Sequence, residues 1–263
     1  MKKIFIDPGH GGQDPGAVAN GLREKDLTLN IALKTRDYLR NHYEGHSIKM
    51  SRTSDQTLSL TERTNIANTW AADYLVSIHI NAGGGTGFES FIYNGNYRGK
   101  PNTDQLRSVI HDEIVKKTKF FNRGKKEANF HMLRESRMPA VLTENGFIDR
   151  SEDAAKLKLD SFLRKIAEGH ALGIALALKL KKKQEKVYYR VVTGSFKEQT
   201  NATKRVQELR NKGFTSFITA FTHQGELFYR VVTGSFEKRE NAEKRMAELK
   251  KDGFPSFMDV YKP

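Results

Sequence analysis

The sequence predicts two domains: an α/β sandwich with a mostly parallel central sheet, then a small α+β domain in ferredoxin-like βαββαβ order. Three observations predict it. Strand-like runs alternate with helical patterns over residues 1–180, as in layered α/β folds. Three of those strand runs stop at an ionisable residue, in Ile6-Asp7-Pro8-Gly9-His10, Ser77-Ile78-His79 and Leu142-Thr143-Glu144. The octapeptide Tyr189–Phe196 recurs unchanged at Tyr229–Phe236, which marks an internal repeat.

The elements follow in order. Lys3-Ile4-Phe5-Ile6 is a short strand that must end at Pro8-Gly9, because proline lacks a backbone donor and glycine permits unusual backbone angles. After a second turn at Asp14-Pro15-Gly16, Leu27, Ile31, Thr35, Tyr38 and Leu39 recur at helical spacing. Glu24 and Asp26 stand at that helix start, where acidic groups are favoured. Ser47–Ser51 reads as a strand, 57–72 as a helix, 74–79 as a strand ending in His79 and 88–93 as another. Residues 103–119 are helical, 140–144 form a strand ending in Glu144, and 151–180 are helical in two pieces. Arg52 and Asp55 read as structural residues of a turn. His111 and His170 read as ordinary helix residues.

The chain has 263 residues, is 37% hydrophobic and 29% charged, and has no cysteine. Disulfides, thiolate metal sites and a cysteine nucleophile are excluded. No apolar run approaches the ~20 residues of a membrane span. Met1-Lys2-Lys3 precedes only three apolar residues, too few for a signal peptide, so none is expected. The net charge is +14, and residues 181–263, with 18 basic and 10 acidic side chains, are the more basic part per residue. Such a surface favours polyanions, whether nucleic acid, anionic lipid or acidic wall polymers.

In a parallel sheet His10, His79 and Glu144 converge on one edge, the edge at which open α/β sheets bind ligands. Glu24 joins them just beyond the first strand's loop. Two histidines and a glutamate suit a catalytic zinc with a fourth position open for water. A second carboxylate would then move the water's proton. Glu24 and Glu144 are both available, one as ligand and one as base, and a purely structural role for these residues is the competing reading. The helical His-Glu-x-x-His arrangement is not found.

Asp7-Pro8-Gly9-His10-Gly11-Gly12, Glu24, Ser77-Ile78-His79-Ile80-Asn81-Ala82 and Pro139–Ile148 resemble the motif set of the zinc-dependent type 3 family of N-acetylmuramoyl-L-alanine amidases, in the family's order, over residues 1 to about 180. The resemblance implies His10, Glu24 and His79 as ligands of Zn2+ and Glu144 as the catalytic carboxylate. It implies hydrolysis of the amide joining the lactyl group of muramic acid to L-alanine of the stem peptide. Regulated members carry a blocking helix in an insertion before the last strand; no long insertion is seen here, so an open groove is expected. Gly11 and Gly12 are expected to leave room for a bulky glycopeptide. Asn81, His131 and Arg134 are further candidates for substrate contact, Arg134 for a stem-peptide carboxylate.

Residues 181–186 are a basic linker by composition, which gives domains of 1–180 and 187–263. In the second domain Asn201-Ala202 pairs with Asn241-Ala242 and Gly213-Phe214 with Gly253-Phe254. One such unit is too small for a core. Two give a four-stranded sheet with both helices on one face and the other face free. An RNA-recognition module has this layout, yet its RNP1 pattern is not found. The repeat resembles the SPOR family, which implies binding of glycan strands lacking stem peptides. A glutamine common in that family is replaced by Val192 and Val232, which removes a polar contact to sugar. Tyr188, Arg190, Phe228 and Arg230 are the candidates for the open face.

The reading is therefore a monomeric peptidoglycan hydrolase, cutting with zinc and held on stripped glycan. No nucleic acid partner is expected. It would act in the cell wall or outside the cell, reached after lysis in sporulating mother cells or phage infection. The alternatives are a zinc peptidase cutting within the stem peptide, a nucleic-acid-binding protein acting through the repeat, and a wall-binding protein with an inactive first domain.

Overall fold

A computed structural model describes residues 1–184 and 186–262. Glu185, in the expected linker, and Pro263, closing the expected second domain, lie outside the described residues. The first compact unit spans residues 1–183. Its elements are β1 (Lys2–Pro8), β2 (Val18–Ala19), β3 (Leu22–Arg23), α1 (Glu24–His42), β4 (Tyr43–Glu44), β5 (His46–Met50), α2 (Leu60–Thr69), β6 (Tyr74–Asn81), β7 (Phe88–Tyr93), α3 (Lys100–Thr118), β8 (Asn122–Ala128), α4 (His131–Arg134), β9 (Ala140–Phe147), α5 (Ser151–Leu157), α6 (Asp160–Ala177) and β10 (Lys181–Lys182).

Six strands form one sheet in the order β5-β1-β6-β9-β7-β8. The first four run parallel. Then β7 pairs antiparallel with β9, and β8 runs parallel to β7. The sheet is mixed and mostly parallel, as expected. Alternation divides its two faces. Ile4, Ile6, Tyr74, Val76 and Ile78 pack with residues of α1, α3 and α6 in the larger core. Phe5, Leu75, Ala140 and Leu142 face the other way, onto Ala67 of α2 and Met132 and Leu133 of α4. Because β1, β6 and β9 are consecutive neighbours, their carboxyl ends share one edge.

The short β2, β3, β4 and α4 go beyond the sequence reading, and β8 and β10 depart from it. β8, Asn-Arg-Gly-Lys-Lys-Glu-Ala, has no apolar alternation and was not expected. It is an edge strand, and its lysines are the kind of residue that discourages further pairing at an open edge. The linker starts later than residue 181. Lys181 and Lys182 pair with Glu44 and Tyr43, the Lys183 N–H donates to His42 O at 2.8 Å, and Lys181 Nζ meets Glu44 at 2.8 Å. A charge run looks like linker until its backbone finds an edge to complete.

The second unit spans residues 184–263. It runs β11 (Tyr188–Phe196), α7 (Gln199–Asn211), β12 (Phe217–His223), β13 (Glu226–Phe236), α8 (Arg239–Lys251) and β14 (Phe257–Tyr261), the expected βαββαβ order. Its antiparallel sheet is ordered β12-β13-β11-β14. Val191 and Val231 meet Ala202, Leu209, Ala242 and Leu249 of the two helices in one small core.

Candidate active site

The loop after β1 is built by buried arginines. Its carbonyls point away from regular pairing, and a buried carbonyl without a donor is costly. Arg63 Nη1 donates to Pro8 O at 2.7 Å and Nη2 to His10 O at 2.6 Å. Arg52 donates to Pro8 O at 3.2 Å and Gly9 O at 2.8 Å. Both arginines are almost fully buried. Asp7 balances Arg63 at 2.9 Å and accepts the Ser77 hydroxyl at 2.7 Å. Burial pushes Asp7 up, but Arg63 and hydrogen bonds from Ser51 and Ser77 outweigh it and hold the carboxyl below the usual carboxylate range. Arg52 therefore does more than close its own turn.

That loop places His10 in the left-handed region, at φ 61°. Its Nε2 lies 3.1 Å from Glu24 Oε2, and its Nδ1 lies 2.7 Å from Asp14 Oδ2. His79 Nδ1 lies 3.0 Å from the other Glu24 oxygen. Glu24 also accepts the backbone N–H groups of Ala17 at 2.9 Å and Ile80 at 3.0 Å, which fix it although it is nearly buried. One candidate ligand atom each from His10, Glu24 and His79 lies within 4.8 Å of the other two. The donor set of two imidazoles and a carboxylate fits zinc. The Asp14 bond to His10's second nitrogen is the outer support metal-binding histidines commonly carry.

Electrostatics follow from this packing. Burial would raise the Glu24 carboxyl, but hydrogen bonds from His10 and His79 and their charges hold it far below the carboxylate range. Burial would lower His10, but Glu24 and Asp14 override it and raise it.

Glu144 stands beside His79 in the β6–β9 register, on the same face of the sheet. Its residue keeps partial access to solvent, yet Oε2 is buried and has no hydrogen-bond partner among the described residues. Burial, then the charges of Glu24 and Glu89, push its carboxyl well above the usual range. Four residues read from sequence thus meet at one edge: a closed trio and a carboxylate next to it.

The glycines act differently from the sequence expectation. A Cβ on Gly11 would lie 2.4 Å from Gln56 O, and one on Gly12 would lie 2.1 Å from Thr57 Oγ1. Both press against the loop after β5, so they do not clear space for substrate. The glycines that bear on the site are Gly9, whose Cβ would lie 2.3 Å from the His79 ring, and Gly16, whose Cβ would lie 2.6 Å from Glu24 Oε2.

The other candidates are placed as follows. Asn81 donates to Glu89 Oε1 at 2.7 Å. His131 opens the single-turn α4, the only helix between β8 and β9 among the described residues, with Nε2 3.4 Å from Thr64 Oγ1. Arg134 is tied to Glu135 at 2.7 Å and Asn129 Oδ1 at 2.5 Å. Sequence reading missed Asp14 and Glu89. Glu89 is nearly buried and meets Arg123 at 2.8 Å and Lys126 at 2.5 Å. The available signal was a glutamate inside the apolar strand Phe88–Tyr93.

In the second unit, Tyr188, Arg190, Phe228 and Arg230 all alternate against the core residues Tyr189, Val191, Tyr229 and Val231, so they share the helix-free face. Arg190 stacks on Tyr261 at 3.2 Å and Arg230 on Phe221 at 3.8 Å. Arg230 also meets Asp259 at 2.6 Å. Phe217 and Phe257, absent from the sequence candidates, are both 46% exposed on this face. They stand beside buried Val232 and Val192.

Comparison with known proteins gives a consistent picture. A family described as N-acetylmuramoyl-L-alanine amidase matches residues 4–176, and the SPOR domain matches residues 185–258. A sporulation-specific N-acetylmuramoyl-L-alanine amidase of Bacillus subtilis (strain 168) is 56% identical over 218 residues, 83% of this chain and 84% of the relative. An endolysin of Bacillus phage SPP1 is 48% identical over 186 residues, 69% of this chain and 68% of the relative. Among solved structures, the catalytic domain of an N-acetylmuramoyl-L-alanine amidase from Bacillus (Paenibacillus) polymyxa var. colistinus superposes with a TM-score of 0.64 at 32% identity, covering 69% of this chain and 100% of that one. An N-acetylmuramoyl-L-alanine amidase from Clostridium difficile 630 gives a TM-score of 0.64 at 37% identity, covering 68% of this chain and 97% of that one.

Proposed function

The chain belongs to the N-acetylmuramoyl-L-alanine amidase family, and from that premise we propose that it cleaves its substrate with a zinc ion held by His10, Glu24 and His79 and with Glu144 as proton carrier. It is a peptidoglycan hydrolase, and its bond is the amide between N-acetylmuramic acid and L-alanine of the stem peptide. The observation that carries the mechanism is the β6–β9 register, which sets a carboxylate with a free oxygen beside the His–Glu–His trio.

When bound, zinc supplies Lewis acidity toward the amide carbonyl and lowers the pKa of water. The chain's own residues do the rest. The Glu144 carboxylate takes the proton of the attacking water and returns it to the departing alanine nitrogen, the work of a general base and then acid. Asp14 keeps His10 turned toward Glu24. Asn81, Arg123 and Lys126 engage Glu89, which tempers a second negative charge beside Glu144.

The second unit supports binding of glycan stripped of stem peptides. Phe217 and Phe257 offer rings to sugar faces, and Arg190 and Arg230 offer donors where the usual glutamine is a buried valine. Held by that unit, the catalytic unit would meet substrate at raised local concentration. The site of action is the wall; among the described residues no helix is long and apolar enough to cross a membrane. Release by lysis fits relatives of both sporulation and phage kinds. Protein without a second copy suffices for this mechanism.

The test is digestion of purified wall with and without chelator, followed by identification of new amino termini. L-Alanine termini that vanish with chelator and return with zinc are expected. Termini of D-amino acids or diaminopimelate would transfer the reading to a peptidase.

A further inference from the structure

Beyond Glu144 the same row of the sheet ends in two cations. Glu89 stands directly opposite Glu144 in the antiparallel β7–β9 pair, as His79 stands beside it in β6–β9. All three side chains therefore leave one face of the sheet, near its binding edge. Glu89 is nearly buried. Its Oε2 meets Arg123 at 2.8 Å and Lys126 at 2.5 Å, and its Oε1 accepts from Asn81 at 2.7 Å. One carboxylate between two cations leaves one positive charge uncancelled. The side chains of Arg123 and Lys126 are 30% and 39% exposed, and His79, Asn81 and Glu144 each keep partial access to solvent. Solvent thus reaches this strip along its length, from the trio to the cations. The residues of α4 pack lower on the face, with Ala140, Leu142 and Phe91.

Arg123 is held ready for a further partner. Its Nε takes the bond to Glu89, and no other hydrogen bond of the guanidinium is found among the described residues. The guanidinium carbon lies 4.8 Å from the centre of the buried Phe147 ring, which backs it. The start of β8 is fixed as well. Asn122 Oδ1 accepts from the buried His111 Nε2 at 2.8 Å and from the Gly124 N–H at 2.8 Å, and the Ser90 hydroxyl donates to His111 Nδ1 at 2.8 Å. Two Nη nitrogens remain on a guanidinium whose position is set, the planar fork that a carboxylate matches.

The chemistry of the substrate selects which part of it comes here. The lactyl carboxyl is the acyl half of the bond that is cut, and N-acetyl sugars are uncharged, so the anions of a muramoyl peptide lie on its peptide side. Neighbouring strands are about 4.8 Å apart, and Arg123 reaches back across one such spacing to Glu89. Its guanidinium therefore lies roughly 5–10 Å from the Glu144 carboxylate, about two residues of extended peptide at ~3.3 Å each. We propose that Arg123, with Lys126, takes the carboxylate of an acidic second residue of the stem, the one directly after L-alanine. This rests on the amidase reading above and adds a direction to it: the departing peptide runs toward β8, and the glycan lies on the side of the loop after β1.

The experiment uses the full zinc-loaded chain and three muramoyl peptides with three-residue stems. One has free carboxylates on its second residue and at its carboxyl end, one is amidated only on the second residue, and one only at the end. Amidation of the second residue is expected to raise KM about tenfold, the size of a charged hydrogen bond. Amidation at the end should leave KM as it was. In the double variant Arg123→Gln, Lys126→Gln the acid and its second-residue amide should have equal KM values. Loss of the charges that offset Glu89 would act on every substrate alike, so the ratio between substrates separates contact with the peptide from an effect passed through Glu89. Equal KM values in the unaltered protein, a preference that survives in the double variant, or a preference that follows the terminal carboxylate would each overturn the proposal. Calorimetric binding of the acid and the second-residue amide to the zinc-free full chain reads the subsite without turnover. About tenfold tighter binding of the acid is expected there, and equal binding would overturn the subsite. If none of the three compounds is cleaved, the amidase reading fails, and the calorimetric difference then decides the subsite by itself.

Discussion

In the first unit no site residue has a counterpart. His10, Glu24, His79 and Glu144 come from a loop, a helix start and two strands, and each meets different partners. In the second unit nearly everything has a twin forty residues away. Arg205 donates to Thr193 O at 2.8 Å and Arg245 to Thr233 O at 2.9 Å. Thr193 and Thr233 hydroxyls reach Val231 O and Val191 O across the sheet. Phe217 and Phe257 are equally exposed. Bond cleavage needs groups of unlike chemistry at one point, and a repeat cannot supply them. A polymer of repeating sugars can be met by a repeating face. Even the aromatic stacking of the arginines is twinned, Arg190 on Tyr261 and Arg230 on Phe221, and the twinning stops only at Asp259, which meets Arg230 at 2.6 Å.

The contrast can be broken most sharply at Glu144. Glu144→Gln should lower cleavage by about 10²–10⁴-fold while the protein still binds one zinc; turnover of a soluble muramoyl peptide and metal analysis check the two halves. Normal turnover would remove Glu144 from the chemistry.

Core truncation tests the twinning itself. Leu209→Ala and Leu249→Ala each empty a fully buried position of the same small core. Each should cost about 2–5 kcal/mol, and the two costs should agree closely, as read by denaturant unfolding of the second unit's transition. A large inequality would show that the halves are not energetic equivalents.

Acid should expose a difference in the opposite direction, because only the first unit buries histidines. His170 is fully buried behind β9, with Nδ1 2.9 Å from Ile166 O and Nε2 3.0 Å from Thr143 Oγ1. The neutral ring donates from Nδ1 and accepts the threonine hydroxyl at Nε2. Burial lowers its pKa to about 4. A depressed folded pKa means that the unfolded chain binds the proton first. The stabilisation is complete above the ordinary histidine range and is lost as pH falls from about 6.5 toward 4, by roughly 3 kcal/mol. Thermal unfolding from pH 7 to 4 should show this loss in the first unit, and His170→Gln should reduce it, leaving the share of His111, whose pKa burial also lowers.

The smallest expected effect is on retention. Phe217→Ala with Phe257→Ala should weaken binding of the protein to stripped glycan by about tenfold, from roughly 0.7 kcal/mol per ring. Cleavage of a soluble muramoyl peptide should stay as it was. Co-sedimentation with stripped wall measures the first and turnover the second.

Much of the site was legible because its residues end strands. An apolar run cut off by Pro-Gly, or by a histidine, shows a strand's end without any tertiary information. The α/β alternation then says that such ends share an edge. Asp14 and Glu89 were not legible in this way. An acidic residue in a turn and a glutamate in a strand have many ordinary explanations, and only packing shows which histidine or arginine stands opposite. The lysine-rich β8 escaped for a related reason: an edge strand needs no apolar alternation to be held by one neighbour.

What the sequence determined by itself was local: where strands stop, which helix faces are apolar, that a forty-residue unit is repeated, and which residue types are available for chemistry. Those follow from backbone sterics and side-chain period, which act over a few residues. Tertiary structure alone decided the partnerships. It put Glu144 in register with His79, turned Gly11 and Gly12 against the loop after β5, and drew Lys181 and Lys182 into the first unit. Such outcomes depend on which surfaces meet across the fold, and distance along the chain carries no record of that.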